Sequence, residues 1–353
     1  MATDSDVESV FAGREERSPL KKVQYFLHLY PTTIPFLVLL IGIVVFGVVV
    51  GDRFFHPFNL SLVLQQVTVI ALLAVGQTMV ILVAGIDLSV GAIMVLSSVV
   101  MGRFAVVMGW PPELALMAGL AVGAACGFLN GLLITSLRLP PFIVTLGTWS
   151  IFESINFLYS KNETLRQQDV EAVAPLLQFT GHSIRLTDII PLDFLRGGVL
   201  TFGSVLMIFV AIVVSYVLTR TMFGRHVYAS GDDPEAARLV GINVRFTLLK
   251  VYTCAGLICG FAGWVLIGRI GAVSPNAGYN ANLDSITAVV IGGTSLFGGR
   301  GAIIGTLFGA LIVGIFRNGL ALAGLQNNWQ NLTVGALIIV AVALDQWIRR
   351  VSV

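Results

Sequence analysis

The sequence predicts an all-α, polytopic membrane protein with about ten transmembrane helices. Composition is the first reason. Of 353 residues, 56% are apolar and 11% are charged, against about 25% charged in an ordinary soluble domain. The second reason is the length of the runs without charge. Residues 23–51, 54–86, 114–137, 197–219 and 318–344 contain no Asp, Glu, Lys or Arg. A hydrocarbon core about 30 Å thick takes roughly 20 such residues per helix. The third is helix punctuation by proline at the starts of these runs.

In chain order the expected membrane segments are 34–50, 61–84, 90–107, 114–137, 142–159, 199–219, 248–268, 284–298, 302–321 and 332–348. Pro31 and Pro35 flank the first, and Pro57 precedes the second. Pro111-Pro112 opens the fourth and Pro140-Pro141 the fifth. Ahead of them, 1–22 is polar and of mixed charge and lacks the pattern of a signal peptide, and 1–30 is expected to be a disordered cytoplasmic tail ending in a short interfacial helix. Two polar stretches interrupt the apolar runs: 160–198, broken by Pro175, Gly181 and Pro191, and the more basic 220–245.

An even number of spans puts both termini on one side. With both inside, thirteen Lys or Arg residues lie in or beside the cytoplasm and eight outside, four of those in the 160–198 loop. Long loops count less in this bias, so N-in, C-in is expected. Leu129-Asn130-Gly131-Leu132 is echoed by Arg317-Asn318-Gly319-Leu320, and Gly85–Ser89 more loosely by 293–297. The echo is compatible with an inverted repeat of five spans per half. Arg317 is unexpectedly charged for the end of the ninth segment and blurs that boundary.

Several functions are excluded or disfavoured. The sequence contains no metalloprotease, nucleophile-elbow or phosphate-loop motif, so no catalytic residue and no metal site is expected, and ATP would have to be bound by another chain. A net charge of +2 without a local basic patch gives no footprint for nucleic acid. Cys126, Cys254 and Cys259 fall inside apolar runs and read as core residues rather than a disulfide framework. Ion-coupled carriers bury acids mid-membrane, and the candidates here are few. Asp87, followed by Ser89, reads as an N-cap; Asp284 sits at a segment start; Glu153 lies near a helix end.

Glycine placement carries more. Gly119, Gly123, Gly127 and Gly131 recur every four residues, as do Gly301, Gly305 and Gly309. Each set draws a side-chain-free stripe on one helix face, suited to tight helix packing, a dimer seam or a sliding surface. In the basic loop, Asp232 or Asp233 can cap a short helix whose first turn holds Pro234 and Glu235, followed by Ala236 and Ala237 and stopped by Gly241. On physical grounds this is either a capped surface loop or a small helix shaped for a groove on a partner.

Glu235-Ala236-Ala237 with Gly241 six residues after Glu235 resembles the E-A-A…G coupling loop of bacterial ATP-binding-cassette importer permeases. Three further blocks are similar to ribose/xylose/galactose/fructose-type sugar permeases: GIDLSVGAIM (85–94), LPPFIVTLGTW (139–149) and AVVIGGTSLFGGRGAIIGTLFGALIVG (288–314). FFHPFNLSLVLQQV, NETLRQQDVEAVAPLLQF and LDQWIRR look most like the fructose-import permeases. The resemblance implies a permease domain over 31–350 in the inner membrane, with a periplasmic loop at 160–198 and a cytoplasmic coupling loop at 220–247. It also implies a partner ATPase holding ATP and magnesium and docking through Asp233, Glu235, Ala236, Ala237 and Gly241, a periplasmic sugar-binding protein, and a second copy of this chain. No cofactor is expected on this chain. A neutral sugar needs weak polar partners, for which Gln77, Asp87, Ser89, Asn130, Thr145, Trp149, Thr294 and Ser295 are the candidates. Two rival classes are an ion-coupled secondary carrier working without an ATPase and a structural membrane subunit without a pathway.

Overall fold

A computed structural model describes residues 32–349 apart from 190, 191, 193, 194 and 279. The expected tail at 1–30 lies outside the described residues. Helix α1 (Thr33–Val50) is followed by a single turn, α2 (Asp52–Phe55), then α3 (Pro57–Leu82), α4 (Val90–Gly102) with a π-helical end at Arg103–Val107, α5 (Pro112–Leu137) and α6 (Pro141–Ser160). Proline occupies the first position of α3, α5 and α6, where its missing N–H goes unused and its fixed φ suits a helix start.

The 160–198 stretch is more structured than a plain loop. It contains α7 (Gln167–Val173), α8 (Pro175–Gln178), a 3-10 turn (Phe179–Gly181), β1 (Ser183–Arg185) and α9 (Leu186–Ile189). Strand β1 pairs antiparallel with β2 (Val199–Thr201), Ser183 opposite Thr201. Helix α10 (Phe202–Arg220) then leads to α11 (Met222–Asp232) and α12 (Pro234–Leu239), and α13 (Val244–Ile270) returns. At about 1.5 Å per residue, α10 is roughly 28 Å long, so the β1–β2 end and the α11–α12 end lie on opposite faces. Helices α14 (Ala281–Ile291), α15 (Ile303–Leu322) and α16 (Asn327–Arg349) complete the chain.

Among the described residues seven helices are long and apolar enough to cross a membrane: α1, α3, α4 with its π-helical end, α5, α10, α13 and α15. The expected segment 284–298 is corrected. Its helix ends at Ile291, and the chain runs without helix from Gly292 to Ala302, because Gly293, Gly298 and Gly299 take positive φ, where only glycine sits without strain. Helices α3, α4, α13 and α15 form the buried centre and α1, α5 and α10 the outer wall. Wall side chains such as Val48, Met117 and Ile212 stay exposed, a surface suited to lipid rather than water.

Candidate coupling and translocation site

The 220–245 stretch holds two helices rather than one capped helix in a loop. Thr221 caps α11 by accepting from the Gly224 N–H at 3.3 Å. Asp233, not Asp232, caps α12: its Oδ1 accepts from Glu235 N at 2.9 Å and Ala236 N at 3.0 Å, the N-terminal donors a helix cannot satisfy itself. Gly241 ends it at φ +87°, with Gly241 N donating to the Arg238 carbonyl and Ile242 N to the Ala237 carbonyl, each at 3.0 Å. This is the left-handed turn that favours glycine after a helix. Ala237 is buried by its own chain, so its small size serves the fold of this subunit. Glu235 and Ala236 face outward, as do Leu239 (88% exposed) and Val240 (77% exposed). A short capped helix with an apolar, uncovered tip is an interaction surface in form.

Helix α11 connects this tip to two non-helical loops. A Cβ at Gly231 would fall on the Leu82 carbonyl oxygen and 2.8 Å from Gly299 N, so backbone meets backbone there. Gly299 N in turn donates to Leu82 O at 3.0 Å. The Tyr228 hydroxyl donates to Gly301 O at 2.8 Å. Burial pushes the Tyr228 phenol above its ordinary pKa, which keeps the proton on the donor. Leu82 begins the turn between α3 and α4; Gly299 and Gly301 belong to the turn between α14 and α15. The loosely similar stretches at 85–89 and 293–297 lie in these two turns.

The first turn gathers five of the eight pathway candidates. Asp87 is 2% exposed. Its Oδ1 accepts from Ser89 N at 2.7 Å and Ser89 Oγ at 2.6 Å. Asp87 is therefore not the N-cap of α4: Ser89 occupies that position, and the Asp87 carboxylate closes the turn two residues earlier. Asn130 Nδ2 on α5 donates to Ser89 Oγ at 2.8 Å and, at 3.5 Å, to Asp87 Oδ2. Gln77 on α3, with its amide turned to satisfy both groups, pairs with the Asp87 backbone N and O at 3.2 Å each. Thr145 Oγ1 on α6 donates to Ile86 O at 3.0 Å, and Asn282 Nδ2 on α14 donates to Leu88 O at 3.3 Å. Four helices thus grip one turn, and both oxygens of its buried carboxyl group have hydrogen-bond partners. Asn130 Oδ1 and the Tyr252 hydroxyl, both buried, have no hydrogen-bond partner among the described residues.

The other three candidates lie elsewhere. Trp149 lines a small cavity of about 60 Å³ with Glu153, Asn156, Gly91 and Asn282. Thr294 and Ser295 are buried in the second turn, where Ser295 N donates to Arg300 O at 2.9 Å.

The α5 glycines form a packing seam. A Cβ at Gly127 would fall on the Tyr252 carbonyl oxygen, and one at Gly123 would lie 2.5 Å from Gly256 O. Gly131 faces Leu249, and Gly119 faces Met101 of α4. Gly305 brings α15 against Gly292 O, just past the end of α14, and Gly309 brings it against Ala288 O within α14. Gly301 is corrected: it precedes α15 and packs on Thr294 rather than extending the helical stripe.

Several contacts escaped the sequence reading. Gly256 and Gly260 on α13 complete the seam opposite α5, and their four-residue spacing was the available signal. Arg317 lies inside α15, with Nη2 2.6 Å from Asp284 Oδ1 on α14, which explains a charge within an apolar helix. Asn318 and Asn59 exchange reciprocal amide hydrogen bonds at 2.9 and 3.1 Å. No sequence signal pairs these residues.

Residues 59–342 match the family described as branched-chain amino acid transport system / permease component. The chain is 53% identical to the fructose import permease protein FrcC of Rhizobium meliloti over 349 residues, covering 99% of this chain and 94% of that protein. It is 38% identical to the ribose import permease protein RbsC of Bacillus subtilis, covering 88% and 92%. It is 36% identical to the D-allose transport system permease protein AlsC of Escherichia coli, covering 89% and 91%. No solved structure matches. With a profile match over most of its length and relatives aligned nearly end to end, the chain belongs to this family of permease components and is a multi-pass membrane protein.

Proposed function

We propose that this chain is the transmembrane permease subunit of an ATP-binding-cassette importer that carries fructose across the bacterial inner membrane. The observation that carries the reading is 53% identity, over 99% of the chain, to a fructose import permease. The ribose and allose permeases at lower identity keep the substrate class to monosaccharides. The chain performs no bond chemistry. A separate ATPase binds and hydrolyses ATP, a periplasmic binding protein delivers the sugar, and two copies of this chain line the pathway.

In this reading the apolar segments cross the membrane as two inverted halves with both termini in the cytoplasm, the segment expected at 284–298 being helical only to Ile291, and the ATPase docks on α12. The exposed Glu235, Ala236, Leu239 and Val240 supply its contact. Motion enters through α11. The contacts of Gly231 and Tyr228 with the turns at 83–89 and 292–302 then pass it to the ends of α3 and α14. ATP binding biases two global states of the permease, which makes the sugar pathway face outward or inward.

Proteoliposomes containing this chain, the ATPase and the binding protein test the proposal. Fructose uptake should require ATP and all three components. Uptake by this chain alone, driven by a proton or sodium gradient, would show a secondary carrier instead.

A further inference from the structure

A cavity of about 600 Å³ opens between the end of α5, the end of α12 and the start of α13. Its wall carries three arginines, Arg138, Arg238 and Arg245, beside the apolar Ile134, Leu139 and Leu248. All three arginines are exposed, and none of their guanidinium groups forms an ion pair or hydrogen bond among the described residues. No carboxylate lines the cavity. Three exposed cations line one cavity, and an anion bound among them is attracted by all three. The position is equally informative. Leu137 ends one apolar helix and Val244 begins another, so the cavity lies where hydrocarbon gives way to water.

We infer that this cavity binds the headgroup of an anionic phospholipid, its phosphate held among Arg138, Arg238 and Arg245 and the upper part of its acyl chains against Ile134, Leu139 and Leu248. The inference rests on the reading that the α11–α12 end faces the cytoplasm. Guanidinium groups suit phosphate because their donors form a planar fork. Basic pockets between membrane helices on the cytoplasmic side are the expected geometry for anionic headgroups. A free phosphate ion would satisfy the arginines but leave the apolar wall uncovered, and the mixture of the two surfaces favours a lipid.

The test is native mass spectrometry of the full chain in detergent, supplied with phosphatidylglycerol or phosphatidylcholine. Wild type should retain phosphatidylglycerol and release phosphatidylcholine. Retention should fall by roughly fivefold for each arginine removed in Arg138→Gln and Arg245→Gln and in the double variant. Lys250→Gln removes a charge from the same helix outside the cavity and should leave retention unchanged. Size-exclusion elution at the wild-type position shows that each variant is folded; an Arg138→Lys and Arg245→Lys double variant, which keeps the charge, should recover part of the retention. Equal retention by wild type and the glutamine double variant overturns the inference, as does an equal loss in Lys250→Gln. Full displacement by inorganic phosphate would show an ion site, not a lipid site. Loss of ATPase co-purification with lipid retention intact would assign the cavity to the ATPase. Failure of ATP-driven uptake with lipid selectivity preserved would count against the transport reading alone.

Discussion

The hydroxyl of Tyr228 on α11 donates to the carbonyl oxygen of Gly301, 73 residues away, at 2.8 Å. This bond adds a side-chain tie to a junction where backbone meets backbone, with Gly231 against Leu82 O and Gly299 N. A rigid helix between the exposed α12 and two buried turns transmits force only if its far end is held. Tyr228 supplies that hold.

Tyr228→Phe keeps the ring and removes the bond. One lost hydrogen bond costs about 0.5–1.5 kcal/mol, so the protein should fold and bind its ATPase normally. If the proposed transport holds and α11 carries the motion, the sugar carried per ATP hydrolysed should fall, because the tie between α11 and the 292–302 turn is lost. A wild-type transport-to-hydrolysis ratio would show that the bond serves folding alone.

Gly127→Leu places a branched side chain where the Tyr252 carbonyl oxygen sits. Overpacking typically costs about 1–3 kcal/mol and more where backbone must move. Thermal stability in detergent should drop sharply. Gly147→Leu, on α6 with open space around the glycine, should leave stability near wild type. Similar melting temperatures for the two variants would contradict the α5–α13 seam.

The Asp284–Arg317 pair should show coupling in a double-mutant cycle. Removing either partner alone strands a buried charge, at a cost of about 3–5 kcal/mol for a fully buried pair; Arg317 is 25% exposed, which lowers that figure. Asp284→Leu with Arg317→Leu should therefore be less harmful than the sum of the singles. Strict additivity would mean that the two charges are solvated independently.

Labelling can test the orientation. Ser230 looks like a suitable loop position in the sequence, but it is 1% exposed on the inner side of α11. Leu239→Cys, 88% exposed at the tip of α12, is the better probe, paired with Ser183→Cys on β1. In a background lacking Cys126, Cys254 and Cys259, an impermeant reagent added outside should modify position 183 and spare 239. The reverse pattern would invert the topology.

What the sequence made legible is what depends on near neighbours. Pro57, Pro112 and Pro141 mark helix starts because their effect is local, and Asp233, two and three residues before the N–H groups it caps, is readable for the same reason. The α5 stripe is visible as a spacing, although its partners Gly256 and Gly260 become evident only once α13 is known to lie across it. Asp87 reads two ways because a carboxylate before a helix can cap it or close the preceding turn, and the two donors from Ser89 show that it closes the turn. Arg317 seemed misplaced because its partner Asp284 lies 33 residues earlier. The helix expected through 298 failed because an apolar composition outweighed paired glycines whose meaning is conformational.

The central claim is that an ATPase drives this permease through α12, and the most direct measurement is ATPase co-purification with sugar-stimulated hydrolysis in variants of that helix. Gly241→Val forces a β-branched residue to a φ near +87°, which side chains avoid. Ala236→Arg places a long cation on an exposed contact position and leaves the buried Ala237 intact. Both variants should insert and elute as wild type yet lose most bound ATPase and most stimulated hydrolysis, whereas Asn130→Ala, in the buried cluster, should keep the ATPase bound and lose uptake. Wild-type levels of bound ATPase and stimulated hydrolysis in both α12 variants would contradict the account.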